Sequence, residues 1–193
     1  MLPFSIGIAL STILANIVVM TTIEGYLTIS RVDDRFYYHI HKKHRNYLRK
    51  FCASRRMAFN KIAILNRPDP FREAVCLSMG REGGYYVNNP DDEDGDIGAA
   101  HSLSVLDYNR PPLGQPSLHC GWTITKSLLI WTWDRRSTKH LEWLEYLIDH
   151  FFKPWHYRVD GTISWFNDVA DNSGDIVVVN NEIKILPYNN KTH

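Results

Sequence analysis

The stretch DGTISWFNDVADNSGDIVVVNNEIKIL, residues 160–186, decides the fold. The alternation of side chains between two faces along YRVDGTISW, residues 157–165, predicts a half-buried strand. DIVVV and EIKIL predict two more strands. The segments between them, FNDVADNSG and NN, consist mostly of turn-forming residues. Asn180 and Asn181 suit a two-residue hairpin turn, because asparagine tolerates the positive φ that such turns require. The sequence therefore predicts a C-terminal antiparallel meander of three strands.

The same stretch raises the alternative of a carboxylate site beside a tryptophan. Its aspartates and its tryptophan are Asp160, Asp168, Asp171, Asp175 and Trp165. Catalytic carboxylates must be held at defined separations by rigid elements, whereas most of these aspartates fall in or beside a turn-forming segment. We therefore assign them an architectural role, in which they bond and bend the backbone.

Upstream, the pattern predicts a strand followed by a basic helix. GYLTISR, residues 25–31, alternates so that Leu27 and Ile29 share one face. Asp33 or Asp34 suits the N-cap of a helix through DRFYYHIHKKHRNYLRKFC. Its core-facing positions, at helical spacing, are Phe36, Ile40, Tyr47 or Leu48, and Phe51.

The middle of the chain, residues 66–116, is rich in turn-forming residues and predicts short extended pieces joined by turns. Its acidic tip DDEDGD, residues 91–96, lacks the glutamate that a calcium loop carries at its twelfth position, where Ser102 or Leu103 stands. We expect a solvated acidic loop and no metal site.

A second hairpin and a second helix follow. SLHCGWTI and LLIWTWD predict two strands that turn at TKS. TKHLEWLEYLIDHFFK predicts a helix, which Ser137 or Thr138 caps and Pro154 ends. Its apolar stripe, widened by Trp143 and Tyr146, is typical of a helix that lies flat on a sheet.

Together these elements predict an α+β fold, with a mostly antiparallel sheet, two helices packed on one of its faces and an N-terminal apolar segment. The chain has 193 residues, enough for one domain with its own core. We place the apolar segment at residues 1–21, the single α+β domain at 22–187 and a polar tail at 188–193.

Bulk composition limits the class of function. The formal net charge is +1, so a general polyanion binder is disfavoured and nucleic acid is not expected as a partner. Cys52, Cys76 and Cys120 are far apart and form no CxxC pair, which favours reduced thiols and a cytoplasmic location.

The N-terminus leaves more than one alternative open. Residues 1–23 carry no charged side chain and approach the roughly 20 apolar residues that span a bilayer. Residues 2–20 are either a membrane anchor, which would make this a single-pass membrane protein with a cytoplasmic body, or an extension with little role in the fold. A cleaved signal peptide is disfavoured because no lysine or arginine precedes the apolar run.

The basic residues of the first helix also have two interpretations. They are Lys42, Lys43, Arg45, Arg49 and Lys50, and they lie mostly off the apolar face. They can contact phosphates or acidic lipid head groups, or they can form a solvated face. From the sequence alone we prefer the solvated face, which is the commoner outcome of such a pattern.

Aromatic residues are numerous enough to suggest a ligand site. Stacked rings suit bases or sugars, but six tryptophans and ten tyrosines can also fill a thin core between helix and sheet, and packing favours the core. The candidate ligand-binding residues are Trp122, Trp131, Trp133, Trp165, His101 and His119.

A catalytic site has less support. His101, Asp107, His119 and Cys120 gather around LDYNRPPLGQPSLHC. On a strand, the adjacent His119 and Cys120 would point to opposite faces and could not form a nucleophile–base pair. No spacing typical of zinc ligands occurs, nor any phosphate-loop, dinucleotide or hydrolase motif. We assign no catalytic residue, metal or cofactor.

Several segments between residues 73 and 186 carry a resemblance: LSVLDYNRPPLGQPSLHCGW, HLEWLEYLIDHFFKPWHYRVDGTISW and DNSGDIVVVNNEIKI. Together they resemble a family of small uncharacterised proteins of phages, bacteria and some viruses, with the pattern GQPxLxCxW, EWLEYLI, GxIxW and DxGxIxVxxN. The chain departs from that pattern at His156, where glycine is usual, and at residues 166–168. The resemblance implies intracellular residence and a domain boundary, and it implies no mechanism.

We therefore expect a non-enzymatic accessory or binding protein of viral or phage origin, whose partner is a small molecule or a protein. One alternative is a hydrolase-like enzyme that uses His101 or His119 with an aspartate. Another is a membrane-tethered factor, held through residues 2–20.

Overall fold

The computed structural model describes residues 21–32, 39–55, 57–59, 105–107, 109–112, 114–132, 139–167 and 173–188. The strands are β1 (Thr21–Arg31), β2 (Ala58–Phe59), β3 (Val105–Asp107), β4 (Trp122–Thr125), β5 (Leu128–Trp131), β6 (Tyr157–Asn167), β7 (Gly174–Val179) and β8 (Glu182–Pro187). The helices are α1 (Lys42–Ala53) and α2 (His140–Leu147), and α2 continues as a π-helical turn, Ile148–Phe152.

The three-stranded C-terminal meander is confirmed. β6 pairs antiparallel with β7, and β7 pairs antiparallel with β8. Asn180 and Asn181 have φ of 50° and 68°, as the predicted two-residue turn requires. The Asn181 side chain fixes this turn to β6, because its Oδ1 accepts from the Val159 N–H at 2.8 Å.

The meander is one half of a six-stranded antiparallel sheet. The strand order is β4-β5-β1-β6-β7-β8, and β2 pairs with β3 separately. β1 pairs with β6 along its whole length, so that Arg31 lies opposite Tyr157. The end of β1 and the start of β6 are therefore neighbours, although more than half of the chain separates them.

One core lies between the helices and one face of this sheet, as predicted. In β1, Leu27 and Ile29 are buried while Tyr26 and Thr28 are exposed, which is the period of two that the sequence shows. The largest fully buried side chains are Trp122, Trp143, Tyr157, Phe51, Phe151 and Phe152. Aromatic rings from both helices and the sheet thus supply much of the packing.

Two of the four aspartates lie in the described part of the meander, and both form bonds within it. Asp160 accepts from the Asn180 N–H and from Arg158 Nε, each at 2.7 Å. Asp175 accepts from Tyr188 Oη at 2.6 Å and from Ser164 Oγ at 2.7 Å, and these bonds lower the pKa of its carboxyl. The other two, Asp168 and Asp171, lie outside the described residues.

The first helix begins later than the sequence pattern predicts. A start at Asp33 or Asp34 is not observed; residues 33–38 lie outside the described ranges, and α1 begins after His41, whose Nδ1 accepts from the Lys43 N–H at 3.3 Å. The chain just before this cap is held by Ser127, whose Oγ accepts from the Ile40 N–H at 3.2 Å. A tertiary contact therefore overrides the local helical pattern.

Smaller boundary differences occur around β4 and α2. The predicted strand SLHCGWTI forms only from Trp122, and residues 114–121 have no regular structure. α2 begins after Lys139 rather than after Ser137 or Thr138. The N-terminal segment, the acidic tip at residues 91–96 and Cys76 all lie outside the described residues.

Candidate functional site: a histidine and aromatic cluster at the start of helix α1

Three elements meet at the N-terminal end of α1. They are the first turn of the helix, the end of β1, and the turn that joins the π-helical segment to β6. His156, in that turn, has φ of 57°, which a non-glycine residue seldom adopts, and its carbonyl accepts from the Val32 N–H at 3.0 Å. This turn directs the chain from Trp155 into Tyr157, the first residue of β6.

The buried Tyr157 hydroxyl organises the cluster. It accepts from the His41 N–H at 3.0 Å and lies 3.0 Å from His44 Nδ1. Since the hydroxyl is already an acceptor from the backbone, its own proton is available to the imidazole nitrogen. When the Tyr157 hydroxyl donates to Nδ1, a neutral His44 carries its proton on Nε2, and its free ring edge is then a hydrogen-bond donor.

His44 also packs against a tryptophan. Its ring stacks on Trp155 with centroids 4.2 Å apart and an interplanar angle of 12°. The Trp155 Nε1 atom is buried and has no hydrogen-bond partner among the described residues. An unpartnered buried donor costs about 1–3 kcal/mol.

The electrostatic environment of His44 is positive. Its pKa is lowered from 6.5 to about 4, first by burial and then by the charges of Lys43, His41 and Arg31. We call Arg31, Lys42, Lys43 and Arg45 the basic cluster. Within the described part of the chain, none of the four forms an ion pair, and the first turn of α1 has no acidic residue.

Three of the four predicted tryptophan candidates, Trp122, Trp131 and Trp165, lie in the core. Trp122 and Trp131 face each other across β4 and β5, with ring centroids 5.3 Å apart, and both are buried. Trp165 is buried on β6, where it covers Gly174 of β7. β1 lies between β5 and β6, so Trp165 and Trp131 are on non-adjacent strands. This is the arrangement expected of core-filling rings, and their binding of a ligand stays a prediction.

Of the remaining sequence candidates, the structure describes Asp107, His119 and Cys120. His119 is half-buried in the irregular segment before β4, and its carbonyl accepts from Ser117 Oγ at 2.9 Å. Cys120 beside it is buried. His101 and Trp133 lie outside the described residues, so the predicted role of His101 or His119 in catalysis stays a prediction.

Sequence reasoning did not single out the cluster of His41, His44, Trp155 and Tyr157. The signal available was the run HIHKKH, residues 39–44, in which histidines and lysines are concentrated. Nothing local links it to Tyr157, which is 113 residues from His44. In the described part of the chain, no group of three or more histidines, cysteines and carboxylates could hold a metal ion.

Comparison with protein-family models, with curated proteins and with solved structures finds no match to this chain. The assignment of function therefore depends on the site itself. Neither helix in the described ranges has the length and apolarity to cross a bilayer. Residues 2–20 lie outside those ranges, so the membrane anchor stays a prediction.

The lowered pKa of His44 predicts a pH-dependent stability. The unfolded chain binds more protons than the folded chain between about pH 6.5 and 4, because the folded-state pKa is the lower one. Stability should therefore fall as the pH is lowered through this range. Urea unfolding across that range tests this, and the His44 part of the loss should be absent in His44→Asn. A His44 resonance that titrates near pH 6.5 in the folded protein would contradict it.

Proposed function

We propose that the protein is a non-enzymatic binding protein that holds a small phosphate-bearing ligand at the basic cluster beside His44. The observation that carries the proposal is the concentration of Arg31, Lys42, Lys43 and Arg45 around the start of α1 with no described carboxylate to neutralise them. Such an arrangement raises the electrostatic free energy of the empty protein, and a bound anion lowers it.

The observed start of α1 strengthens this interpretation over a solvated basic face. Had the helix begun at Asp33 or Asp34, the lysines would lie in its interior, where exposed cations are well tolerated. Because it begins at Lys42, they stand at the positive end of the helix dipole. A cation there is unfavourable by roughly 0.3–1 kcal/mol. Two lysines and an arginine in the first turn are therefore poorly placed for stability and well placed for an anion.

The hydrogen-bond donors around the cluster fit the same ligand class. A neutral His44 whose Nδ1 accepts from Tyr157 offers its Nε2–H, and its ring is stacked on Trp155. Phosphate oxygens accept from such donors, and lysine and arginine supply the opposite charge. Binding rather than catalysis is favoured because a histidine with a pKa of about 4 is a weak base at neutral pH.

Titration with inorganic phosphate and pyrophosphate, followed by NMR of the histidine side chains, tests this proposal. A bound anion favours the protonated imidazole, so we expect the pKa of His44 to rise from about 4 when ligand is added. We expect Lys43→Ala/Arg45→Ala to weaken binding by about tenfold, since it removes two charges next to the anion.

The matched control removes the same total charge elsewhere. Arg49 lies later in α1 and Lys139 precedes α2, and both are exposed. The Arg49→Ala/Lys139→Ala variant should bind within about twofold of the unaltered protein, since distant exposed charges are screened. An equal loss of binding affinity in the two variants, or an unchanged His44 pKa at saturating pyrophosphate, would contradict the proposal.

A further inference from the structure

The outer edge of the sheet at β8 carries exposed apolar side chains. Ile185, Leu186 and Tyr188 are 49%, 51% and 41% exposed, and no described strand pairs with the outer side of β8. Ile185 and Leu186 point to opposite faces of the strand, so the apolar surface continues around the edge. An edge of this kind is a template for pairing with another strand.

The ladder to β7 shows which backbone groups of β8 face outward. In a two-residue hairpin the residues that flank the turn, Val179 and Glu182, form a hydrogen-bonded pair. From there, every second residue of β8 is hydrogen-bonded to β7. The Tyr188 N–H, which donates to the Ser173 carbonyl at 2.8 Å, fits this alternation. The N–H and C=O groups of Ile183 and Ile185 therefore point away from the sheet, as does the carbonyl of Pro187.

We propose that this edge binds a second copy of the same chain, antiparallel, with Ile185 on the two-fold axis. In that register the two Ile185 residues exchange N–H···O bonds, and each Ile183 N–H donates to the Pro187 carbonyl of the other copy. This gives about four intermolecular backbone bonds. Pro187, which has no N–H, is used only through its carbonyl.

Two other symmetric registers, centred on Lys184 and on Ile183, are excluded by named residues. A pair centred on Lys184 would place the two lysines directly opposite each other, which is destabilising. A pair centred on Ile183 would use the Asn181 N–H, which already donates to the Val159 carbonyl at 3.1 Å. The register centred on Ile185 places Leu186 opposite the aliphatic stem of Lys184 and gathers the apolar residues of both copies.

One pair of strands buries less surface than the 1,200–2,000 Å² typical of stable interfaces, so the dimer is weak. We expect a dissociation constant on the order of 10–100 μM. Sedimentation between 5 μM and 1 mM, both chosen to bracket that range, should show monomer converting to dimer. Ile185→Lys should remain monomeric throughout. Val179→Lys, at an exposed position beside the turn and off the outward edge, should dimerise normally.

Amide hydrogen exchange of the unaltered protein tests the register without any substitution. Raising the concentration should slow exchange of the Ile183 and Ile185 amides, which bond only in the dimer. The Lys184 amide bonds to β7 in both states and should not respond. A monomer at 1 mM, dimerisation of Ile185→Lys, or loss of dimer in Val179→Lys would each overturn the proposal. Phosphate binding at His44 is measured separately and does not depend on the outcome.

Discussion

Replacement of Trp143 by alanine is expected to lower the free energy of unfolding by about 3–5 kcal/mol. Trp143 is fully buried in α2 and packs edge-on against Phe51 of α1, with ring centroids 6.2 Å apart. Its Nε1 also donates to Ser117 Oγ at 2.8 Å, which attaches the irregular segment before β4 to the helix. The substitution therefore removes packing between both helices and a tertiary hydrogen bond.

A second variant separates the ring from its hydrogen bond. Ser117→Ala keeps the indole and removes its acceptor, together with the bond from Ser117 Oγ to the His119 carbonyl. It should cost about 1–3 kcal/mol, mainly the penalty of an unpartnered buried donor. Urea unfolding of both variants measures the two contributions. If Ser117→Ala were as destabilising as Trp143→Ala, the packing of α1 against α2 would not be the main contribution of this residue.

Much of the fold follows from short-range pattern. The meander, its Asn180–Asn181 turn and the alternating burial of β1 were each predictable, because strand period and turn chemistry depend on consecutive residues. The helix α2 was likewise predicted from its apolar stripe, within two residues at its start. Predicting these elements requires no information about residues elsewhere in the chain.

The start of α1 was not predictable, because the information lies elsewhere in the chain. Its pattern is helical from Asp33 onward, but Ser127, in the β4–β5 turn, accepts from the Ile40 N–H and holds that residue outside the helix. The functional interpretation changes with this boundary, since it decides whether Lys42 and Lys43 lie inside a helix or at its positive end.

The candidate site was hidden from the sequence for a related reason. β1 and β6 pair along their whole length, which brings the end of β1 beside Tyr157, and strands so far apart in sequence give no local sign of their pairing. The contact between His44 of α1 and Tyr157 is equally long-range. Conversely, Trp122 and Trp131 were visible as candidates but are needed for packing. Residue type alone does not distinguish an indole that fills a core from one that binds a ligand.

Replacement of Gly174 by alanine is expected to lower the free energy of unfolding by about 3 kcal/mol, at the upper end of overpacking effects. A Cβ at this position would lie 2.4 Å from the Trp165 ring, 2.5 Å from the Leu186 carbonyl oxygen and 2.8 Å from the Pro187 Cα. Two of these three obstacles are backbone atoms of β8, which cannot move without breaking the β7–β8 ladder.

A comparison with Gly121 tests whether the backbone is the obstacle. The three atoms nearest to a Cβ on Gly121 all belong to the Trp131 ring, the first at 2.3 Å, so a smaller side chain at position 131 should relieve that clash. In double-mutant cycles, Trp131→Leu should therefore reduce the effect of Gly121→Ala, whereas Trp165→Leu should leave most of the effect of Gly174→Ala in place. Full rescue by Trp165→Leu would show that the ring alone excludes a side chain there. Trp165, which the sequence suggested as part of a carboxylate site, would then be the sole reason that its partner position 174 carries glycine.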